Sequence, residues 1–186
     1  SDWFYAQALG WIRARPGEAL ALQLRKLGYL LHGADLALEH SYDYYARDEA
    51  TLLRALAVGP WLLVPAGLLG LALRLAARPR LDYALWAAFV PLAALAVCAF
   101  FVSSRYRLPL LVPLAAGGGL LAEWCWGAWR EGRRAGLAAG GLAFAALAAL
   151  ANRPLGLDTG RDAERAAMVE ALVAAGNLEP ARARLS

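Results

Sequence analysis

The chain reads as an all-α, multi-pass membrane protein: a bundle of four transmembrane helices with flanking outer-face amphipathic helices and a C-terminal helix-turn-helix. Three observations carry that reading. The apolar fraction is 60% and the mean hydropathy is +0.43, above what a water-soluble domain of this length needs. Charge is confined to a few short blocks, whereas a soluble domain spreads its charges. Between those blocks lie windows that approach the roughly 20 helical residues needed to cross a hydrocarbon layer about 30 Å thick.

Those windows are residues 55–73, 83–104, 108–129 and 135–152. The first is bounded by Arg54 and Arg74 and carries Pro60 and Pro65. Proline is tolerated in a membrane helix when neighbouring helices satisfy the freed carbonyls. The third contains one acid, Glu123, among Trp124, Trp126 and Trp129, which suits a headgroup layer with an aromatic belt, or a carboxylate facing the bundle. The fourth is rich in Ala and Gly, a composition that favours close helix packing.

Residues 1–54 then form an outer-face region of amphipathic helices and a loop, 55–152 the four-span region, and 153–186 a partial repeat-like helical hairpin. Trp3, Phe4, Leu9, Trp11 and Ile12 precede a Pro16-Gly17 break, and a leucine-rich helix follows that Pro16 can start. Two such helices suit a membrane interface, with Arg25 and Lys26 reaching headgroups. The segment Glu39-His40-Ser41-Tyr42-Asp43-Tyr44-Tyr45 reads as a solvated loop; a single His with one Glu lacks the further ligands a metal site needs. Neither a metal nor another cofactor is expected.

Basic residues in short loops give the orientation. Arg74, Arg78 and Arg80 follow the first span and Arg130, Arg133 and Arg134 the third, so both loops are expected on the cytoplasmic side of an inner membrane. The loop at Arg105 and both long flanks then face out. Cys98 and Cys125 fall near opposite ends of their spans, too far apart for the Cα separation of about 7 Å that a disulfide allows. The net charge of +4, with bases beside apolar spans, makes nucleic acid a poor partner and membrane-surface phosphates a better one.

Phosphate is also what the turn between the second and third windows suits. Arg105, Tyr106 and Arg107 sit between two apolar stretches, so their charge belongs at a membrane mouth. Planar guanidinium forks match a phosphate or carboxylate, and a lipid-linked phosphate lives at that depth. Arginine and tyrosine are equally ordinary interfacial anchors, and the residues alone leave both roles open.

The string Phe-Phe-x-x-Ser-Arg-Tyr-Arg-Leu-Pro-x-x-x-Pro-Leu, from Phe100 to Leu114, resembles the late transmembrane hairpin of bacterial GT-C fold glycosyltransferases of family 39, similar to protein mannosyltransferases and aminoarabinose transferases. Arg25-Lys26, Glu39, His40 and Tyr44 fit the order of a stretch in the same enzymes. The resemblance spans residues 4–185, but only the Arg-Tyr-x-x-Pro block is fairly specific. It implies the C-terminal membrane region of an enzyme that moves a sugar from a polyprenyl-phosphate donor to an outer-face acceptor. It further implies that Arg105, Tyr106 and Arg107 bind the lipid phosphate, while Pro109 and Pro113 form a helix-start pattern. The family's catalytic acid lies in an earlier outer loop, matched by no residue here, so the catalytic residues are unknown and the segment is not expected to act alone.

Met168, Leu172, Gly176, Leu178, Ala181 and Leu185 have spacings similar to a tetratricopeptide repeat, with Arg165 where an aromatic residue is usual. One such unit cannot bury its own apolar face, so it packs on the rest of the chain or continues into further repeats, and a protein partner could dock there. With no initiator Met, signal peptide or earlier span before Ser1, the chain is expected to be a piece of a longer protein. Two other functions fit the same residues: a non-catalytic membrane scaffold presenting a repeat domain, and an O-antigen ligase or polymerase.

Overall fold

A computed structural model of the chain describes residues 2–34, 41–49, 51–55, 58–77, 80–100, 102–154, 156 and 160–184. Among the described residues there are nine α-helices, one 3-10 turn at Leu52–Ala55, and no strand. Four helices are long and apolar enough to cross a membrane: α4 (Pro60–Ala77), α5 (Leu81–Ala99), α6 (Ser104–Arg130) and α7 (Arg134–Ala151). The chain is a multi-pass helical membrane protein in contact with lipid. Leu85, Leu92 and Leu95 of α5 and Leu142 and Leu150 of α7 are exposed, a placement that water penalises and hydrocarbon does not.

The span boundaries shift from the charge-free windows for local reasons. α4 begins at Pro60, where the missing N–H is one the first turn leaves unbonded anyway, and residues 52–55 form the separate 3-10 turn. α6 begins at Ser104, after an extended Ser103, and not at Leu108. Its 27 residues span about 40 Å at 1.5 Å each. That exceeds the hydrocarbon thickness by roughly 10 Å, so the arginine-bearing turn belongs to the helix and not to a loop. α6 ends at Arg130, and Gly132, two residues on, has a φ of +67° that places it in the left-handed region. There the Arg133 N–H reaches back to the Ala128 carbonyl and the chain reverses into α7.

The bundle is organised around α4 against α6. Their backbones meet at Gly67, Gly70 and Gly117: a Cβ added at Gly67 would lie 2.5 Å from Leu114 Cα, and one at Gly70 would run into the Gly117 carbonyl. Without a hydrophobic drive between helices in lipid, close approach through glycine is how dispersion contact accumulates. Val64, Leu71, Leu110 and Leu114 fill the flanks of this contact, and Val90, Ala94 and Cys98 of α5 join the same core.

Before the bundle come α1 (Asp2–Ala14), α2 (Pro16–Leu30) and the short α3 (Tyr42–Arg47). Pro16 starts α2 as expected. α1 buries none of its residues, and Trp3, Phe4 and Tyr5 stand exposed. α2 packs on α5 and buries Leu30. Lys26 does not reach outward with Arg25: its Nζ donates to the carbonyls of Cys98 at 2.8 Å and Phe100 at 2.7 Å, a cation closing the negative end of α5.

The C-terminal hairpin comprises α8 (Arg161–Ala174) and α9 (Leu178–Ala183), turning at Gly176 with φ +77° and burying Ala181. Arg165 donates to the Arg184 carbonyl across the hairpin. It packs against the α3 segment, where polar contacts join the two. Arg161 grips Asp48 with two bonds of 2.6 and 3.0 Å, Tyr45 donates to Glu164 at 3.0 Å, and Arg184 reaches Glu49 at 2.7 Å. Tyr44, expected in a solvated loop, is instead fully buried and donates to Glu49 at 2.7 Å. Its second partner, Arg184 from the far end of the chain, donates to the hydroxyl at 3.3 Å. Glu39 and His40 lie outside the described residues.

Arg184 holds the Glu49 carboxyl below the usual carboxylate range, helped by the Tyr44 bond, and Arg161 does the same for Asp48. The docked hairpin is therefore fully favoured above the unfolded carboxylate values of about 4. It weakens as pH falls through the lowered folded values. Burial first, and then the bond to Glu49, raises Tyr44; the bond to Glu164 and then burial raise Tyr45. Those contributions are complete below about pH 10 and are lost as pH rises through the raised folded values. Spin labels at Leu52 and Glu170 are expected to report a fixed distance between those limits and a broadened, longer one outside them. Glu49→Gln with Asp48→Asn should remove most of the acid response; an unchanged acid response would reject this origin.

Candidate functional site

One end of the bundle collects the chemistry. The last residues of α2, the start of α4, the end of α5, the start of α6 and the end of α7 meet there, which places both flanks and the Arg105 turn on the same side. Gly33 is central: its N–H donates to the Ala151 carbonyl at 2.8 Å, and an added Cβ would lie 2.9 Å from Trp61 Cα and collide with the Asn152 side chain. The Asn152 Nδ2 donates to the carbonyls of Trp61 at 3.1 Å and Ala148 at 2.8 Å. His32 is buried beside it. Its Nδ1 accepts from the Ala34 N–H at 2.9 Å, so Nε2 carries the proton that meets the Arg153 carbonyl at 2.7 Å.

Arg107 completes this junction. Its side chain is 2% exposed, and Nη1 donates to the carbonyls of His32 at 2.6 Å and Ala34 at 3.1 Å. A helix turns about 100° per residue, so positions i and i+2 point to nearly opposite sides. Arg105 and Tyr106 accordingly face outward while Arg107 faces in. The structure brings Arg105 and Tyr106 together and separates Arg107 from them.

Arg105 and Tyr106 stand at a cleft of about 440 Å³ between α5 and α6, whose other walls are Ala96, Val97, Phe100 and Pro109. A cation and a phenol thus share the lip of an apolar trough that opens at the end of the membrane-spanning part. Ala96 and Val97 carry no sequence signal of their own beyond hydrophobicity. They become part of the cleft because α5 ends beside the start of α6.

The opposite end of the bundle holds a structural pair. Arg74 of α4 forms an ion pair with Glu123 of α6, and its guanidinium lies 5.9 Å from the Tyr83 ring centre. Cys98 lies at the Arg105 end and Cys125 toward the Arg74 end; both are free thiols. Among the described residues no group of three or more His, Cys, Asp or Glu side chains gathers in a way that could hold a metal ion.

Fold and site together define a class: a four-span helical membrane protein with a cationic, aromatic lip over an apolar cleft and a docked helical hairpin at the same end. Compared with protein-family models, with curated proteins and with solved structures, the chain matches none.

Proposed function

We propose that this chain is the C-terminal membrane region of a glycosyltransferase that uses a polyprenyl-phosphate sugar, with the donor lipid seated in the α5–α6 cleft. The observation that carries the reading is the placement of Arg105 and Tyr106 on the lip of that apolar trough. A polyprenyl chain suits the walls at Ala96, Val97 and Phe100, and the phosphate would meet the Arg105 fork and the Tyr106 hydroxyl. In the transfer step the departing lipid phosphate gains charge, and a fixed guanidinium stabilises it. Arg107 serves the same site indirectly, by holding the end of α2 against the first turn of α6. On this reading the catalytic acid belongs to a part of the enzyme outside this segment, and the acceptor approaches from the outer face.

The test is photolabelling with a polyprenyl phosphate carrying a photoreactive group, using the protein in lipid nanodiscs. Labelling should map to residues 96–109, unlabelled polyprenyl phosphate should compete, and the corresponding polyprenol should compete poorly. Arg105→Gln removes a charge-assisted contact worth about 1.5 to 3 kcal/mol, so labelling affinity should fall roughly tenfold to a hundredfold. Equal competition by polyprenol, with no effect of Arg105→Gln, would leave Arg105 as an interfacial anchor.

The proposed orientation puts the Arg105 end outside an inner membrane, by the Arg78, Arg80, Arg133 and Arg134 bias at the other end. In a background without Cys98 and Cys125, cysteines placed at exposed Leu52 and Glu131 should react with an impermeant thiol reagent from opposite sides, with Leu52→Cys labelled from outside. Labelling of both from one side would overturn the four-span topology.

A further inference from the structure

A second cleft lies across the bundle from the Arg105 lip, between α2, α4 and α7. Its deeper chamber, about 230 Å³, is walled by apolar side chains including Leu27, Val64, Leu68 and Leu147. Leu24, Gly28 and Arg153 line this chamber and also a neighbouring one of about 340 Å³, where Arg25 and Tyr29 join them. Fat-soluble space therefore opens directly into a mouth bearing two guanidiniums and a phenol. Among the described residues no carboxylate lines either chamber and no acidic side chain pairs with Arg25 or Arg153.

The placement of these residues matters. Lys26, next to Arg25 on α2, is committed to the carbonyls at the end of α5, which turns α2 so that Arg25 and Leu24 face the cleft. Gly28 keeps the shared wall thin: the nearest atom to an added Cβ there is Arg153 Nη2 at 3.4 Å. The apolar chamber runs along the first turns of α4 and the last turns of α7, so it starts at the end of the bundle and descends toward hydrocarbon depth.

We propose that this cleft binds one anionic phospholipid, with an acyl chain along α4 and α7 and the headgroup phosphate between Arg25 and Arg153. Two cations without a compensating acid select a lipid of net negative charge over a zwitterionic one, whose amine would face like charge. A basic mouth over an apolar channel between membrane helices is the arrangement such headgroups require. The site is separate from the α5–α6 cleft and does not depend on what occupies that one.

The experiment is native mass spectrometry of the delipidated protein, titrated with dioleoylphosphatidylglycerol or dioleoylphosphatidylcholine. The wild-type chain should retain one phosphatidylglycerol in clear preference to phosphatidylcholine. Each surface arginine near a headgroup changes affinity about fivefold, so the double variant Arg25→Gln, Arg153→Gln should lose roughly twentyfold or more of that preference. Both side chains are exposed, and helical circular dichroism should be unchanged. Gly28→Leu should reduce retention by filling the shared wall while leaving both charges in place. Should Gly28→Leu prove misfolded, the arginine variant decides. An undiminished preference in the double variant overturns the proposal. So does equal retention of phosphatidylcholine, and so does displacement of the lipid by millimolar inorganic phosphate, which would mark a free-phosphate site. Arg105→Gln should leave the retention as it was; if that variant alone abolished it, the lipid would sit in the other cleft.

Discussion

Gly117→Leu is expected to separate α4 from α6 and unfold the bundle, while Gly119→Leu, two residues on, should be nearly silent. At Gly117 an added Cβ would lie 2.9 Å from Gly67 Cα and closer still to the Gly67 carbonyl. At Gly119 nothing lies within 4 Å. Both substitutions improve helix propensity and hydrophobicity, so their difference isolates the backbone contact. Ordinary overpacking costs about 1 to 3 kcal/mol, and a collision with backbone leaves no flexible side chain to yield, so the loss should lie at or above that range. Thermal unfolding in detergent, followed by size-exclusion recovery, measures it. Equal melting of the two variants would show that α4 and α6 do not meet as described.

Arg107→Gln is the second large effect, and it should differ in kind from Arg105→Gln. Removing the Arg107 guanidinium withdraws donors from the His32 and Ala34 carbonyls at a buried junction. A buried bond to a charged group is worth about 1.5 to 3 kcal/mol, so Arg107→Gln should lower the melting temperature by several degrees and increase hydrogen exchange at residues 31–34. Arg105→Gln should leave both untouched and weaken only polyprenyl-phosphate labelling. Lysine should substitute partly at either position, supplying charge without the fork. If Arg107→Gln melted like wild type and lost labelling as Arg105→Gln does, both arginines would belong to the phosphate site.

These two results bear on different layers of the same molecule. The glycine contact makes the bundle, and the Arg107 junction sets where α2 and the following segment leave it. The α3 segment in turn receives the C-terminal hairpin through Asp48, Glu49 and Tyr45. A helical hairpin docked through part-buried ion pairs and tyrosine bonds is held by groups that titrate. That is why its attachment is sensitive to pH while the bundle is not expected to be.

The four spans were legible in the sequence because length and charge exclusion are one-dimensional properties: a helix either has about 20 apolar residues between charges or it does not. Proline marked a break for the same reason, since Pro16 acts through its own backbone geometry. The antiparallel arrangement follows from short connections, and it brings both flanks to one end. What pairs with what across that end was not legible. Lys26 with the α5 terminus, Arg107 with residues 32 and 34, and Tyr44 with Arg184 depend on where distant helices come to rest. The fate of the arginine pair shows the difference most clearly. Read as a loop, Arg105 and Arg107 could converge on one anion; once α6 starts at Ser104, helical rotation sends them to opposite sides, one to a cleft and one into the protein. The sequence by itself determined the class of molecule and the residues rich in chemistry. Only the tertiary structure decided which of them face a ligand, because that depends on a rotation of about 100° per residue counted from a helix start that charge and hydropathy do not mark.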